Sequence, residues 1–277
     1  MIWQTSRFRI DLSRPQVMGI VNVTPDSFSD GGHYVEADAA RAHCDLLVAQ
    51  GADILDIGGE STRPGARLPD TAEQLARVLP VLRHAVTLGV PVSVDTADPV
   101  VMRAALELGV DILNDVRALQ VPGALAVAAS HASAGICLMH MQGEPGSMQV
   151  APRYDHDDVL GAVSRFLAER RDAAVAAGIS LDRIALDPGI GFGKTAVHNL
   201  ALAVGQPALR DLGCPLLLGW SRKSTLGAIT GRPVGERGVA SVAAALAAVQ
   251  QGASIVRVHD VAETVDALKV WRALTAA

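Results

Sequence analysis

Hydrophobic positions fall into short, nearly continuous aliphatic runs separated by longer amphipathic stretches. The runs are Val17–Val23, Asp53–Ile57, Pro91–Val94, Asp111–Leu113, Gly135–Met139, Arg183–Leu186, Pro215–Leu218 and Ser254–Val258. Continuous rather than alternating apolar runs are expected of parallel strands covered on both faces. Between them apolar residues recur at helical spacing, as over Ala37–Gln50, Thr71–Leu88, Pro99–Leu108, Asp157–Ala177, Val239–Gln251 and Ala262–Leu274. Many of these stretches stop at a glycine (Gly51, Gly89, Gly109, Gly178, Gly213, Gly252), the residue that suits the left-handed position past a helix end. Eight strands each followed by a helix predict an α/β fold, a single-domain (β/α)8 TIM barrel. An open doubly wound sheet is the rival, but it usually has fewer strands and one switch point for its ligand.

The length sets the domain count. The 277 residues fit one barrel, which typically takes about 250. One domain is therefore expected over 1–277, with residues 1–16 as an extension leading into the barrel. A hydrophobic fraction of 49% against 19% charged supports a large core, and with aromatics at only 3% that core is built of Ala, Val, Leu and Ile. The net charge of -5 offers no reason to expect nucleic acid as a partner. No run is long and apolar enough to span a bilayer, and Met1–Arg14 lacks the apolar core of a signal peptide, so no membrane association and a cytoplasmic location are expected. Cys44, Cys137 and Cys214 have no CxxC spacing and read as buried thiols of a reducing compartment.

Chemistry enters at the strand C-termini. The predicted strands end at or run into Asn22, Asp56 with Gly58–Gly65, Asp95, Asn114-Asp115, His140, Asp187, Ser221–Ser224, and Arg257 with His259. A polar residue at one strand end reads equally as a helix cap. Polar groups at all eight ends of one face predict a site for a polar, charged ligand, because barrel active sites are built there. Asp95, Asn114 and Asp187 are rich in acceptors and suit a flat heterocycle presenting several N–H donors. Arg63, Arg257 and His259 suit a phosphate-type anion.

These segments carry a family resemblance. Gly19-Ile-Val-Asn-Val-Thr-Pro-Asp-Ser-Phe-Ser-Asp-Gly-Gly32 and Asp56-Ile-Gly-Gly-Glu-Ser-Thr-Arg-Pro-Gly65 resemble the first two signatures of the dihydropteroate synthases. Ser93-Val-Asp-Thr96, Asn114-Asp115, Met139-His-Met-Gln142, Asp187-Pro-Gly-Ile-Gly-Phe-Gly-Lys194, Ser221-Arg-Lys-Ser224 and Arg257-Val-His-Asp260 follow in family order, so the resemblance covers Val17 to about Leu274. Trp220 stands where that family commonly has a smaller residue such as Met, and Ile190 where Phe is also common. The resemblance implies a monofunctional bacterial-type enzyme that joins p-aminobenzoate to a dihydropterin pyrophosphate and releases pyrophosphate. It implies a pterin slot of Asp95, Asn114, Met141, Asp187, Gly191 and Lys223, and a pyrophosphate site of Asn22, Thr62, Arg63, Arg257 and His259, with Mg²⁺ near Asn22. Phe28, Pro64, Phe192, Ser221 and Ser224 would shape the p-aminobenzoate pocket, where sulfonamides would compete. Asp95, Asp187, Lys223 and Arg257 would carry the chemistry, and a homodimer formed through outer helices is implied as well.

Bland readings stand beside these. Asp56 and Asp115 read as structural acceptors of backbone or cap donors, Lys194 as a solvated or loop-fixing charge, and His140 equally as a supporting residue or a contact. Asp26 and Ser27 order the first loop or touch substrate. His33, His84, His131 and His198 read as surface or structural. Gly189–Thr195 resembles a phosphate loop, but Pro188 occupies the position of that loop's first glycine. Gly219-Trp-Ser-Arg-Lys223 lacks the closing glycine of a nucleophile elbow, and no zinc spacing is present. A Schiff-base aldolase using Lys223 and a pterin-binding module without catalysis are the competing functions. The loops Thr24–Gly32 and Gly58–Leu68 read as closing lids.

Overall fold

The computed structural model describes residues 1–23, 33–60, 69–144 and 146–275, with backbone alone for 33–36. The chain opens with a short antiparallel hairpin, β1 (Ile2–Gln4) and β2 (Arg9–Asp11). Eight parallel strands follow: β3 (Gln16–Asn22), β4 (Ile54–Gly58), β5 (Val92–Asp95), β6 (Ile112–Asp115), β7 (Gly135–Met139), β8 (Ile184–Asp187), β9 (Leu217–Leu218) and β10 (Ile255–Val258). Each strand pairs with its sequence neighbour from β3 to β8, β10 lies between β3 and β9, and a Leu186–Leu216 bridge joins β8 to the β9 segment. That bridge closes the sheet on itself, so the expected barrel is found.

The helices are α1 (His33–Ala49), α2 (Thr71–Ala85), α3 (Pro99–Glu107), α4 (Ala124–Ser130), α5 (Val159–Ala176), α6 (Ala196–Leu209), α7 (Ser224–Thr230), α8 (Gly238–Gln250) and α9 (Val261–Thr275). Their starts follow local chemistry. Asp70, Asp98 and Thr195 each accept backbone N–H groups of the first turn of α2, α3 and α6, satisfying donors the helix leaves orphaned. The six glycines read as helix stops all have φ between 77° and 96°, so those segments end where the sequence places them.

Alternation along the strands separates two cores. Outward-facing Val17, Val21, Leu55, Ile57, Val92, Val94, Leu113, Ile136, Leu138, Ile184, Leu186, Val256 and Val258 pack with the helices in one cluster. Inward-facing Met18, Ile54, Ile112, Cys137, Ala185, Leu217 and Ile255 form a second cluster inside the barrel with Trp3 and Ile10. The hairpin is therefore a plug. Trp3 is fully buried and donates from Nε1 to the Arg183 carbonyl at 2.9 Å, closing the N-terminal mouth. The extension read as a lead-in is part of the core.

Above the apolar layer the inward file turns polar. The register sets Asp56 beside Ser93, Asp95 beside Asn114, and Met139 beside Asp187. Asp95, Asn114-Asp115 and Asp187 belong to the strands themselves, one to two residues further than the sequence runs indicate. Regular strand hydrogen bonding therefore fixes their backbone.

Candidate active site

The polar layer occupies the C-terminal end of the barrel. Arg257, on β10, lies across its centre, donating from Nε to Asp56 Oδ2 at 2.6 Å and from Nη2 to Asp95 Oδ2 at 2.8 Å. Asn114 donates to the same Asp56 oxygen at 3.1 Å. Two carboxylates hold one guanidinium, so the Asp56 reading changes: it does not serve a backbone cap but fixes Arg257 and Asn114. Its second oxygen, Oδ1, is buried with no partner among the described residues. Asp115 keeps its structural reading, accepting from Arg117 N and Leu119 N at 2.7 Å each.

Burial among acids shifts these groups. Desolvation, reinforced by Asp56, Glu60 and Asp115, pushes Asp95 up to about 7 against the pull of Arg257. Desolvation likewise raises Asp187, opposed mainly by Lys223. The Arg257 guanidinium is held above its ordinary range by its two carboxylates, despite burial. The site thus concentrates acceptors whose ionisation is costly unless cations or donors arrive.

The loop after β8 makes one wall. Asp187 Oδ1 accepts from Gly189 N at 2.7 Å, and Asn199 on α6 accepts from Gly191 N at 2.9 Å. A side chain at Gly189 is excluded twice over: φ is +67°, and a Cβ would sit 1.9 Å from the His140 carbonyl oxygen. Lys223, just ahead of α7, donates to the Ile190 carbonyl and places its ammonium 4.7 Å from the centre of the Phe192 ring. Gly191 faces the Lys223 stem, where a Cβ would lie 3.1 Å from Cδ. Burial lowers Lys223 to about 8, with Asp187 opposing. Asn199 also donates to Thr225 Oγ1 at 2.9 Å, tying this loop to α7.

The structure therefore brings Asp95, Asn114, Asp187, Gly191, Phe192, Lys223 and Arg257 into one contiguous set. Met141 lies just beyond β7. Asn22 ends β3, half-buried. Ser221 is buried and pairs through Oγ with His259, at 3.2 Å to the backbone N and 3.0 Å to Nδ1, which joins it to the β10 side of the site. Ser224 opens α7 and is exposed. Phe28, Thr62, Arg63 and Pro64, with Asp26 and Ser27 and most of both expected lids, lie outside the described residues. Trp220 is 6% exposed and belongs to the outer core rather than the ligand side.

Two residues given bland readings support the wall instead. Lys194 is 2% exposed, so it is loop-fixing and not solvated. Its Nζ contacts His140 Nδ1 at 2.9 Å and donates to the carbonyls of Gly189 at 2.9 Å, Phe192 at 3.0 Å and His140 at 3.3 Å. His140 is packed edge-on against Phe166 with centroids 4.9 Å apart, and burial beside Lys194 draws it down to about 3. It is a neutral supporting residue. No signal in the sequence distinguished Asn199 from the other polar residues of α6, His198 and Gln206.

Known proteins resemble this chain throughout its length. A family model described as pterin binding enzyme matches residues 18–259. A dihydropteroate synthase of Neisseria meningitidis serogroup C is 55% identical over 277 residues, 99% of this chain and 97% of that protein. The Xanthomonas albilineans dihydropteroate synthase is solved with 4-aminobenzoic acid, at 51% identity and TM-score 0.91 over 97% of this chain and 96% of that one. It is also solved with 7,8-dihydropteroate, at 49% identity and TM-score 0.88 over 97% of each. The Yersinia pestis enzyme in a sulfonamide drug complex is 46% identical with TM-score 0.93 over the whole of both chains.

Proposed function

The chain belongs to the dihydropteroate synthase family, and from that premise we propose how its barrel mouth performs the reaction. The enzyme is a transferase of folate biosynthesis. It condenses p-aminobenzoate with 6-hydroxymethyl-7,8-dihydropterin pyrophosphate, giving 7,8-dihydropteroate and pyrophosphate. The observation that carries the assignment of roles is the acceptor set of half-buried Asp95 with buried Asn114 and Asp187, walled by Lys223 and Arg257.

Asp187 takes the amino-pyrimidine edge of the pterin, where a carboxylate accepts two parallel N–H donors. Lys223 serves the carbonyl side, Asp95 and Asn114 the remaining ring donors, and Met141 and Gly191 line the slot. A donor-rich heterocycle takes up the acceptor capacity that Asp95 and Asp187 have beyond the bonds they already accept from Arg257 and Gly189. Asp95 and Asp187 also offset positive charge as the methylene carbon loses its pyrophosphate. The aniline nitrogen is neutral at physiological pH, so its lone pair attacks that carbon without a strong base, and it sheds a proton after the bond forms. Arg257, His259 and Asn22, with Thr62 and Arg63, take the pyrophosphate. Arg257 Nε and Nη2 are occupied by Asp56 and Asp95, which leaves Nη1 to face an anion. Phe192, Ser221 and Ser224, with Phe28 and Pro64, shape the p-aminobenzoate pocket in which sulfonamides compete.

The donor set at the mouth fits a weakly held Mg²⁺. Among the described residues no cluster of His, Cys, Asp and Glu cages a metal, and Asn22 offers a single amide oxygen. Mg²⁺ commonly keeps several waters and takes substrate phosphates with few protein ligands. When bound, the ion supplies charge neutralisation to the departing pyrophosphate. A homodimer and a cytoplasmic location complete the proposal. The first is supported by the apolar outer face of α6, and the second by three buried cysteines that remain free thiols.

The test is conversion. Purified protein with Mg²⁺ and both substrates is expected to release pyrophosphate and dihydropteroate in equal amounts, with a sulfonamide blocking both. Asp187→Ala is expected to weaken pterin binding at least about tenfold, which corresponds to roughly 1.4 kcal/mol. Tight pterin binding with no dihydropteroate formed would overturn the synthase reading in favour of a binding module. Equal pterin affinity in wild type and Asp187→Ala would overturn the slot.

A further inference from the structure

A buried ammonium normally sits beside a carboxylate. Lys194 makes no direct ion pair: its Nζ is hydrogen-bonded to three backbone carbonyl oxygens and contacts one imidazole nitrogen, and Asp187 acts on it only at longer range. An ammonium has three N–H donors and no lone pair, and three of the four acceptors lie at 2.9–3.0 Å. With His140 as the Nε2–H tautomer, the cage accepts all three N–H donors of the charged form, although desolvation lowers Lys194 to about 7, with Asp187 opposing.

The acceptors belong to two different segments. His140 follows β7 and precedes Met141 by one residue; Gly189 and Phe192 belong to the loop after β8, which also carries Gly191 and the Ile190 carbonyl that anchors Lys223. Tyr154 adds a parallel tie, its hydroxyl donating to the Gly193 carbonyl at 3.0 Å. The Gly189–Gly193 stretch has three glycines at positive φ and no regular secondary structure. Such a stretch has no ladder of its own to hold it. We propose that Lys194 is a positioning residue for the pterin substrate: its ammonium staples the β7 end to the β8 loop and so fixes the separation of the two walls, Met141 and Gly191, between which the ring inserts.

The inference rests on the pterin-slot reading above, and it makes a demand that a general stabilising role does not. Of the residues placed at the p-aminobenzoate pocket, Ser221 and Ser224 lie on the segment running from β9 into α7, which the staple does not touch, and Phe192 is bound by it through its backbone carbonyl alone. Loss of the staple is therefore expected to act far more on the pterin substrate than on p-aminobenzoate. The test compares Lys194→Met and Lys194→Gln with wild type in steady-state kinetics, varying each substrate in turn. Direct binding of 6-hydroxymethylpterin is measured alongside, with hydrogen–deuterium exchange over residues 188–193. Lys194→Met is expected to raise the KM for the dihydropterin pyrophosphate and the Kd for the pterin by about tenfold or more, a size typical of losing a few hydrogen bonds to a positioned group. The KM for p-aminobenzoate is expected to stay within about twofold, exchange over 188–193 to rise, and Lys194→Gln, with two donors left, to fall between. Equal increases in both KM values, or an unchanged pterin Kd in a folded variant, would overturn the proposal. If Lys194→Met fails to fold, the same criteria apply to Lys194→Gln. Failure of the wild type to make dihydropteroate would count against the synthase reading alone, since the exchange and pterin-binding comparisons do not depend on turnover.

Discussion

His140 shows how much a single position depends on its surroundings. In the sequence it is one more polar residue at a strand end. In the fold it is packed against Phe166 and Tyr154 with Lys194 on its Nδ1, and it stays neutral to about pH 3. The unfolded chain takes up that proton near pH 6.5. Between those values the unfolded state binds more protons, so stability is complete above about pH 6.5 and falls as the pH drops toward 3. His140→Asn keeps an acceptor for Lys194 and does not titrate. Comparing denaturant unfolding at pH 7.5 and pH 5, we expect the variant to lose about 2 kcal/mol less than wild type. Identical losses would mean that His140 is protonated in the fold. The same position illustrates what sequence cannot show at this scale. Asp95, Asn114, Asp187, Lys223 and Arg257 were legible because motif order and strand ends marked them. Lys194 and Asp56 were not, since a charge is buried or exposed according to partners that are distant in sequence: Asp56 meets Arg257 across 201 positions and Lys194 meets His140 across 54.

At the scale of elements, the eight parallel strands were legible because each is an aliphatic run bounded by glycine or a polar end, and the register then follows from pairing neighbours. The hairpin of β1 and β2 was not, because three-residue strands lie below the length at which alternation is readable. Its role follows from Trp3. Inward-facing barrel residues at the N-terminal end are mostly aliphatic, with Ala185 and Cys137 among them, and they leave space that a large indole fills. Trp3→Ala is expected to destabilise the fold by about 3–5 kcal/mol, the usual range for a buried aromatic truncated to alanine, while kcat and both KM values of the folded fraction stay close to wild type. Thermal and denaturant unfolding give the first quantity and steady-state kinetics the second. A loss below about 1 kcal/mol would mean that the hairpin merely covers the barrel. The boundaries of α6 were obscured for a different reason: its apolar residues run nearly all the way round, so no helical stripe stands out.

That absence of a stripe has a meaning for the whole molecule. The buried face of α6 carries Asn199, Leu202, Gln206 and Leu209, yet its exposed face holds Val197, Leu200, Ala201, Val204, Pro207 and Ala208, with Val197 and Val204 more than 70% exposed. Ile229 at the end of α7, Val234 and, on α8, Val239 add further exposed aliphatic residues from the neighbouring segments. An outer face this apolar is expected to be covered, and an exposed aliphatic patch of this kind marks an association surface. A second copy is the economical partner, because two-fold symmetry sets the same patch against itself. The dimer face and the active site would then share one helix, since Asn199 on its inner side holds both Gly191 and Thr225. The prediction is a dimer for wild type at micromolar concentration in light scattering coupled to size exclusion. Val197→Glu/Val204→Glu is expected to run as a monomer with unchanged secondary structure, because it buries two like charges per copy and weakens association by at least about a hundredfold. A wild-type monomer, or a doubly substituted chain that still dimerises, would remove α6 from the interface and leave its apolar outer face without an occupant.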